Sequence, residues 1–205
     1  MPSEASRPLR ADAARNSAKI LRAARRVYAE RGPDAPLEEI ARRAGVGIAT
    51  LYRRFPDKAV LVRAALDQSF TEELAPVIEE ALDDPDPRRG LARVIETAVA
   101  LTARDYNMVA AARNAGGSPV DAGARFFASL APLIRRGQEA GLVRGDLVPD
   151  DVRRIMSMLV SVLWTLDPRE DGWRRYVGLL LDGLKPEAAS PLPPPAPLLI
   201  RRPGG

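Results

Sequence analysis

The sequence predicts an all-α protein, on three observations. Apolar residues make up 46% of the 205 residues but aromatic residues only 5%, so Ala, Leu and Val supply the core, a mixture that suits helix packing better than a sheet. Apolar residues recur at helical spacing along most of the chain, and strand-like alternation persists nowhere. Glycine and proline fall between these periodic segments and break them.

The periodic segments predict about nine helices in chain order: 15–32, 37–44, 48–55, 58–82, 91–102, 105–114, 119–140, 152–166 and 173–184. Gly32, Gly45 and Gly141 stand where helices end, as a C-terminal cap requires. Asp57 is placed to cap the helix that begins near Lys58. A kink or break is expected at Pro76 in that same helix.

Charge is distributed unevenly along the chain. Residues 1–58 hold 13 Lys/Arg and 7 Asp/Glu, a net charge of +6, whereas residues 59–205 hold 18 and 20, a net charge of −2. The asymmetry indicates a polyanionic partner for the N-terminal part, with a solvated arginine-rich surface as the alternative.

Several classes of protein are disfavoured by composition. The chain has no cysteine and no histidine, which excludes disulfides and thiolate chemistry and removes the commonest metal ligand and general base. Residues 1–14 contain no apolar core of a signal peptide. The longest strongly apolar stretch, 158–166, is too short to span a bilayer. We expect a cytoplasmic protein that makes no membrane contact, with no metal site and no cofactor.

Two short helices around Gly45 predict a helix-turn-helix. Gly45 permits the turn because it tolerates positive φ. The spacing turns one set of side chains inward: Ile40, Ala41, Val46, Leu51 and Phe55. It turns a cationic set outward: Arg42, Arg43, Arg53 and Arg54. The alternative is a helical hairpin that belongs to the core and whose arginines are merely solvated.

The second of these helices begins near Gly47 and could enter the major groove of DNA with its N-terminus first. Its early residues would meet base edges, and the Tyr52 hydroxyl would meet a phosphate. Arg53 or Arg54 would reach a phosphate or a guanine edge. The candidate DNA contacts are Gly47, Ile48, Ala49, Thr50, Tyr52, Arg53, Arg54 and Lys58.

Residues 19–66 resemble the N-terminal DNA-binding domain of the tetracycline-repressor (TetR) family. The matching features occur in register: an Ala–Ala pair in the first helix, a glycine after it, "AGV", "TLY", a phenylalanine three residues on, and Lys58 before "VLV". The resemblance implies an all-helical homodimer whose three N-terminal helices bind an operator. It also implies that Gly47, Ile48, Ala49, Thr50, Tyr52, Arg54 and Lys58 match DNA-contact positions, although the family often has Ser or Thr at the position of Gly47.

The expected organisation follows from both lines of reasoning. We expect four regions: a flexible basic arm at 1–14, the helix-turn-helix domain at 15–58, an effector-binding and dimerisation domain at 59–185, and a disordered Pro-rich tail at 186–205. The stripes of 152–166 and 173–184 are too apolar to be exposed on a monomer, so we expect them to pack against their copies in a second subunit. The alternative is that they complete the core of one chain. A two-fold dimer would recognise a palindromic operator.

A pocket for a small-molecule effector needs aromatic and flexible apolar lining with a few polar groups. Candidates on the middle helices are Arg104, Met108, Phe126, Phe127, Met156 and Trp164, each of which could instead be ordinary core. The function expected is that of a ligand-responsive transcriptional regulator, with repression favoured by family habit.

Two alternatives belong to other classes of protein. A helical protein-interaction adaptor would show no steep salt dependence with DNA. A metal-dependent helical enzyme could bind Mg²⁺ through Asp83, Asp84, Asp150 and Asp151, but these residues stand at helix ends, where Asp commonly caps.

Overall fold

The computed structural model describes residues 6–115, 124–167, 170–188 and 190–196. All regular elements within these ranges are helical, which confirms the all-α prediction. The α-helices are α1 (Ser6–Arg31), α2 (Leu37–Ala44), α3 (Ile48–Arg54), α4 (Lys58–Ser69), α5 (Ala75–Asp83), α6 (Pro87–Arg104), α7 (Tyr106–Asn114), α8 (Ala124–Glu139), α9 (Pro149–Leu163) and α10 (Trp173–Gly183). In the same ranges, no helix is long and apolar enough to cross a membrane.

The predicted helix at 58–82 is two helices joined by a π-helical turn. The turn spans Phe70–Leu74, and α5 begins with Pro76 in its first turn. Proline lacks an N–H and clashes with the carbonyl of the preceding turn, so the α-helical hydrogen bonds are interrupted just before it. This break accounts for ten described α-helices where about nine were expected.

Helix α1 starts earlier than the sequence predicted. Its backbone is helical from Ser6, whereas no helix was expected before residue 15. Residues 1–5 of the expected flexible arm at 1–14 lie outside the described ranges. Alanine, the best helix former, occupies three of the four positions at 11–14. Pro8 falls in the first turn, where proline is tolerated.

The chain divides into two compact units, and the first comprises Met1–Glu72 and Arg104–Ala122. Helix α1 packs against α2, α4 and α7 within this unit. Its core contains Ile20, Ala23, Ala24, Val27, Tyr28, Ala35, Ile40, Ala41, Leu51, Phe55, Leu61, Val62, Ala65, Met108 and Ala111. The compact unit therefore extends past the predicted limit at residue 58, and it includes α7.

The second unit comprises Glu73–Ala103 and Gly123–Gly205. Helices α5 and α6 approach closely, because a Cβ on Gly90 would lie 2.8 Å from the carbonyl oxygen of Ala81. The Arg136 guanidinium donates to the carbonyls of Leu82 and Asp84 at the end of α5, which satisfies acceptors that a helix end leaves free.

The apolar stripes of α9 and α10 form the interior of this unit. Their buried members are Val152, Met156, Leu159, Leu163, Trp173, Val177 and Leu184. One chain therefore buries these side chains itself, as the alternative of an intramolecular core predicts. The large apolar side chains that these helices leave exposed are Met158, Tyr176 and Leu179.

The segment after α10 is held by side-chain hydrogen bonds as far as it is described. Asp146 accepts from the backbone N–H of Leu192 at 3.0 Å, and Arg154 donates to the carbonyl of Ala196 at 2.6 Å. Hydrogen bonds from Arg144 and then from Leu192 lower the pKa of Asp146 to about 2. Two side chains of the second unit thus contact residues 190–196 of the tail that was expected to be disordered. Residue 189 and residues 197–205 of that tail lie outside the described ranges.

Candidate nucleic-acid interface

The helix-turn-helix forms around the glycine that the sequence identified. Gly45 ends α2 with φ at +68°, in the left-handed region that favours glycine. The N–H of Val46 donates to the carbonyl of Ala41 at 3.0 Å and closes the end of α2. Ile40 and Leu51 are fully buried, as the predicted inward set requires, so the small core fixes α3 against α2.

Helix α3 presents an open face to solvent. Its N-cap, Gly47, has an ordinary φ of −67°, and a Cβ built there would meet no atom within 4 Å. Tyr52 is 44% exposed and Ile48 is 36% exposed. Ala49 and Arg53 are exposed as well. Seven candidate DNA contacts, Gly47 to Thr50 and Tyr52 to Arg54, therefore lie on one short turn and helix, most of them accessible.

The arginines of α2 are paired with carboxylates. Arg43 donates two hydrogen bonds to Glu30 on α1, both at 2.6 Å. Arg42 donates two to Glu39, at 2.9 and 2.7 Å, and Glu39 also lies 3.8 Å from Arg31. These hydrogen bonds hold the pKa of Glu30 and the pKa of Glu39 below their usual values. The cationic character of α2 is therefore largely neutralised within the protein.

The arginines of α3 have neutral partners instead. Arg53 reaches only the hydroxyl of Thr50, at 3.5 Å, and no carboxylate in the described ranges pairs with it. Arg54 donates through Nε to the hydroxyl of Ser17 on α1, at 2.8 Å. Positive charge thus remains uncompensated at the end of α3.

Lys58 is held inside the first unit. Its ammonium donates to the carbonyl of Pro33 at 2.7 Å and lies 5.6 Å from the ring centroid of Tyr28. The preceding residue, Asp57, accepts from the N–H of Val60 at 2.8 Å, which confirms the predicted N-cap of α4.

A polar cluster in the first unit escaped the sequence analysis. Asp105 lies 3.6 Å from Arg25 on α1 and 3.0 Å from Arg104, and it accepts from the Ser69 hydroxyl on α4 at 3.0 Å. The residues come from positions 36 or more apart on different elements, apart from the neighbouring Arg104, so no spacing rule on one helix could reveal them.

The six effector-pocket candidates are divided between the two units. Arg104 belongs to the polar cluster around Asp105, and Met108 is 1% exposed in the core of the first unit. In the second unit Phe126 and Phe127 are buried with ring centroids 5.0 Å apart.

The remaining two candidates, Met156 and Trp164, also lie in the second unit. Met156 is buried and Trp164 is half-buried. The Arg153 guanidinium on α9 stacks 4.9 Å from the centroid of the Phe127 ring, so α8 and α9 meet near two of the candidate aromatic residues.

Two of the four acidic residues of the metal alternative, Asp84 and Asp151, have structural partners. Asp84 accepts two hydrogen bonds from Arg89, at 3.1 and 2.6 Å. Asp151 accepts from the N–H of Val148 at the start of α9. Within the described residues, no group of three or more acidic side chains is arranged to hold a metal ion.

Comparison with known families covers most of the chain. Residues 20–65 match the model of bacterial regulatory proteins of the tetR family. Residues 86–186 match the model of the C-terminal domain of SbtR-like transcriptional regulators. The first match contains the helix-turn-helix and the open face of α3.

Individual relatives agree with this assignment. An uncharacterized HTH-type transcriptional regulator from Mycobacterium tuberculosis H37Rv is 32% identical over 159 residues, which cover 74% of this chain and 79% of the relative. A TetR regulatory protein from Mycobacterium vanbaalenii is 34% identical, with a TM-score of 0.60 and coverage of 87% and 99%. A TetR regulator from Streptomyces coelicolor is 30% identical, with a TM-score of 0.57 and coverage of 83% and 98%. The chain belongs to the TetR family of DNA-binding transcriptional regulators.

Proposed function

We propose that the protein is a homodimeric repressor that binds a palindromic operator and is released by a small-molecule effector. The observation that carries the proposal is the open face of α3, where small residues precede Tyr52 and an Arg53 with no carboxylate partner among the described residues. In a helix with this order of residues, the N-terminal part can contact base edges and the cationic C-terminal part can contact phosphates.

The proposed contacts differ along α3. Ile48 and Ala49 are apolar, so they read bases through contacts such as thymine methyl groups. The Thr50 hydroxyl can donate to or accept from a base edge, and Gly47 lets the backbone come close to the DNA. Tyr52, Arg53 and Arg54 bind phosphates or a guanine edge.

Dimerisation is proposed through α9 and α10, using the side chains that one chain leaves exposed. Met158 on α9 is 65% exposed, Leu179 on α10 is 61% exposed and Tyr176 is 39% exposed. A two-fold axis through this surface would pair each patch with its copy. The two copies of α3 would then lie roughly 34–36 Å apart, one turn of DNA.

The effector site is proposed within the second unit, near Phe126, Phe127, Met156 and Trp164. Arg153 over the Phe127 ring supplies a cation beside this aromatic pair. Effector binding would favour an arrangement of the dimer whose recognition helices no longer fit successive grooves. We place the regulator in the cytoplasm, where it would have access to its operator.

Selection of bound fragments from genomic DNA tests the proposed DNA target. We expect fragments that share an inverted repeat with half-sites one DNA turn apart. Recovery of no common sequence, together with no steep loss of duplex affinity as salt rises, would refute operator binding and favour the adaptor alternative.

Sedimentation of a Met158→Asp variant tests the dimer surface. A buried charge without a partner is costly, so the variant is expected to be monomeric, whereas Ala128→Asp, at an exposed position on α8, should remain dimeric. A dimer that survives in Met158→Asp would place the interface elsewhere.

Titration of the operator-bound protein with a library of small aromatic and acidic compounds tests effector control. We expect at least one compound to release the DNA, and a Trp164→Ala variant to respond less to it. Failure of every compound class to release the DNA would argue against ligand control while leaving operator binding intact.

A further inference from the structure

Lys58 occupies the position that, by resemblance, would contact DNA, yet its ammonium is engaged within the protein. It is half-buried, donates to the carbonyl of Pro33 at 2.7 Å and lies over the ring of Tyr28. Tyr28 is fully buried, and its hydroxyl has no hydrogen-bond partner in the described part of the chain. The π-face of this neutral ring attracts the cation.

The three groups that meet at this ammonium come from three elements. Tyr28 is near the end of α1, Pro33 belongs to the loop between α1 and α2, and Lys58 opens α4. Only Phe55 to Asp57 separate Lys58 from the end of α3. The contact of Lys58 with Pro33 and Tyr28 therefore fixes the start of α4 against the α1–α2 loop. Because α3 ends only three residues before α4, this contact also restrains the end of α3.

Arg53 and Lys58 differ in how strongly the protein holds their charged groups. Arg53 is exposed, and its hydrogen bond to Thr50 is at the limit of the distance range, so it is free to bind a phosphate without breaking a strong contact. Lys58 already donates one of its three N–H groups to the Pro33 carbonyl and contacts the Tyr28 ring, so the protein itself sets the position of its ammonium.

We propose that Lys58 is a positioning residue, which sets the orientation of α3 for base reading by joining Tyr28 and the Pro33 carbonyl to the start of α4. This inference rests on the proposed operator binding of α3. It predicts that Lys58 governs the preference for operator over other DNA and adds no phosphate contact.

The test compares Lys58→Met with Arg53→Met on a selected operator duplex and on a scrambled duplex of equal length, across a range of salt. For Lys58→Met we expect operator affinity to fall between about 5-fold and 150-fold, the span of one base contact. Affinity for the scrambled duplex should stay within about twofold, and the slope of log K against log salt should not change. Arg53→Met should make that slope shallower by about 0.9.

Three results would overturn the inference or its basis. An equal loss on both duplexes with a slope shallower by about 0.9 would make Lys58 a phosphate contact. Unchanged affinities with only a lower melting temperature would make it a residue of stability alone. A wild-type protein that does not discriminate the duplexes would instead refute the proposed function.

Lys58→Gln keeps the comparison decisive if Lys58→Met does not fold. Glutamine retains an N–H donor for the Pro33 carbonyl and lacks charge, so a phosphate contact would still be lost. Failure of both variants to fold would make Lys58 a residue of stability and would overturn its assignment as a positioning residue.

Discussion

Helices α2 and α3 each end in a pair of arginines, yet the two pairs have different surroundings. Arg42 and Arg43 bind Glu39 and Glu30 through two hydrogen bonds each. Among the residues that the structure describes, Arg53 and Arg54 reach only the hydroxyls of Thr50 and Ser17. Helix α2 contains two glutamates and two arginines, a net charge of zero, whereas α3 contains no acid and has a net charge of +2.

The difference shows that a count of cations does not locate a DNA-binding surface. Both pairs lie in the last turn of a helix, where positive charge is favoured by the helix dipole. Only the pair without carboxylates leaves a net field for a polyanion. Arg43 joins α2 to Glu30 of α1, Arg42 pairs with Glu39 within α2, and the arginines of α3 have no carboxylate partner among the described residues.

The largest difference in operator affinity is expected between a variant that removes an arginine from α3 and one that removes an arginine from α2. Arg53→Ala should weaken operator binding by about 1–3 kcal/mol. Arg42→Ala should change it by less than about 0.5 kcal/mol, the usual range for a surface substitution away from the ligand. Fluorescence anisotropy with a labelled operator measures both, and equal losses would erase the distinction between the two helices.

Gly45, which separates the two pairs, provides the next test. Gly45→Ala places a side chain at φ +68° with open space around it, so the cost is that of the backbone, about 1–2 kcal/mol in the free energy of unfolding.

Gly47 is the matched control for Gly45, because it has an ordinary φ and equally open surroundings. Gly47→Ser should stabilise the protein by a few tenths of a kcal/mol, since serine is a somewhat better N-cap. Chemical denaturation of both variants gives the comparison. If Gly45→Ala lowers the free energy of unfolding by less than Gly47→Ser raises it, the turn at Gly45 tolerates a side chain.

Removal of the carboxylates that pair with the α2 arginines should make these arginines available to DNA phosphates, as those of α3 are. In a Glu30→Gln, Glu39→Gln double variant, each freed arginine that reaches a phosphate steepens the salt slope on non-specific DNA by up to about 0.9. A single Glu80→Gln variant, which breaks the exposed ion pair with Arg93 in the second unit, is the control and should leave the slope unchanged. An unaltered slope in the double variant would mean that α2 lies too far from DNA for its charge to matter.

The smallest effect concerns pH. Hydrogen bonding to Arg42 lowers the pKa of Glu39 from its usual 4.5, so the stabilisation from this ion pair is fully present above pH 4.5 and is lost as pH falls through the lowered value. The melting temperature of the wild type should therefore be higher than that of Glu39→Gln at neutral pH. The difference between the two melting temperatures should disappear in acid. A gap that persists after Glu39 is protonated would mean that packing, not charge, is responsible.

Helical spacing was sufficient to predict the helix-turn-helix, because its core and its turn are local. Ile40, Gly45 and Leu51 follow from periodicity and from the conformational freedom of glycine. The pairing of Glu39 with Arg42 also lies within three residues on one helix and was accessible from sequence. The pairing of Glu30 with Arg43 was not, because it joins two helices whose relative placement depends on the core.

Long-range packing set the limits of the remaining predictions. The stripe of α9 was predicted correctly as apolar, but spacing cannot tell whether its partner is the same chain or a copy. Met108 is a candidate for an effector pocket, and its place in the core of the first unit could not be told from helical spacing. Lys58 was assigned to DNA by resemblance, and its contact with Pro33, 25 residues away, required the folded chain.

Arginine-specific labelling of the protein with phenylglyoxal, with and without operator DNA, tests most directly whether α3 rather than α2 meets the DNA. Mass spectrometry of the labelled peptides reports each arginine separately. We expect Arg53 to be labelled in the free protein and protected by the operator, while the labelling of Arg42 and Arg43 changes little. If the operator protects Arg42 and Arg43 while Arg53 is still labelled, the assignment of the DNA-binding surface to the open face of α3 is contradicted.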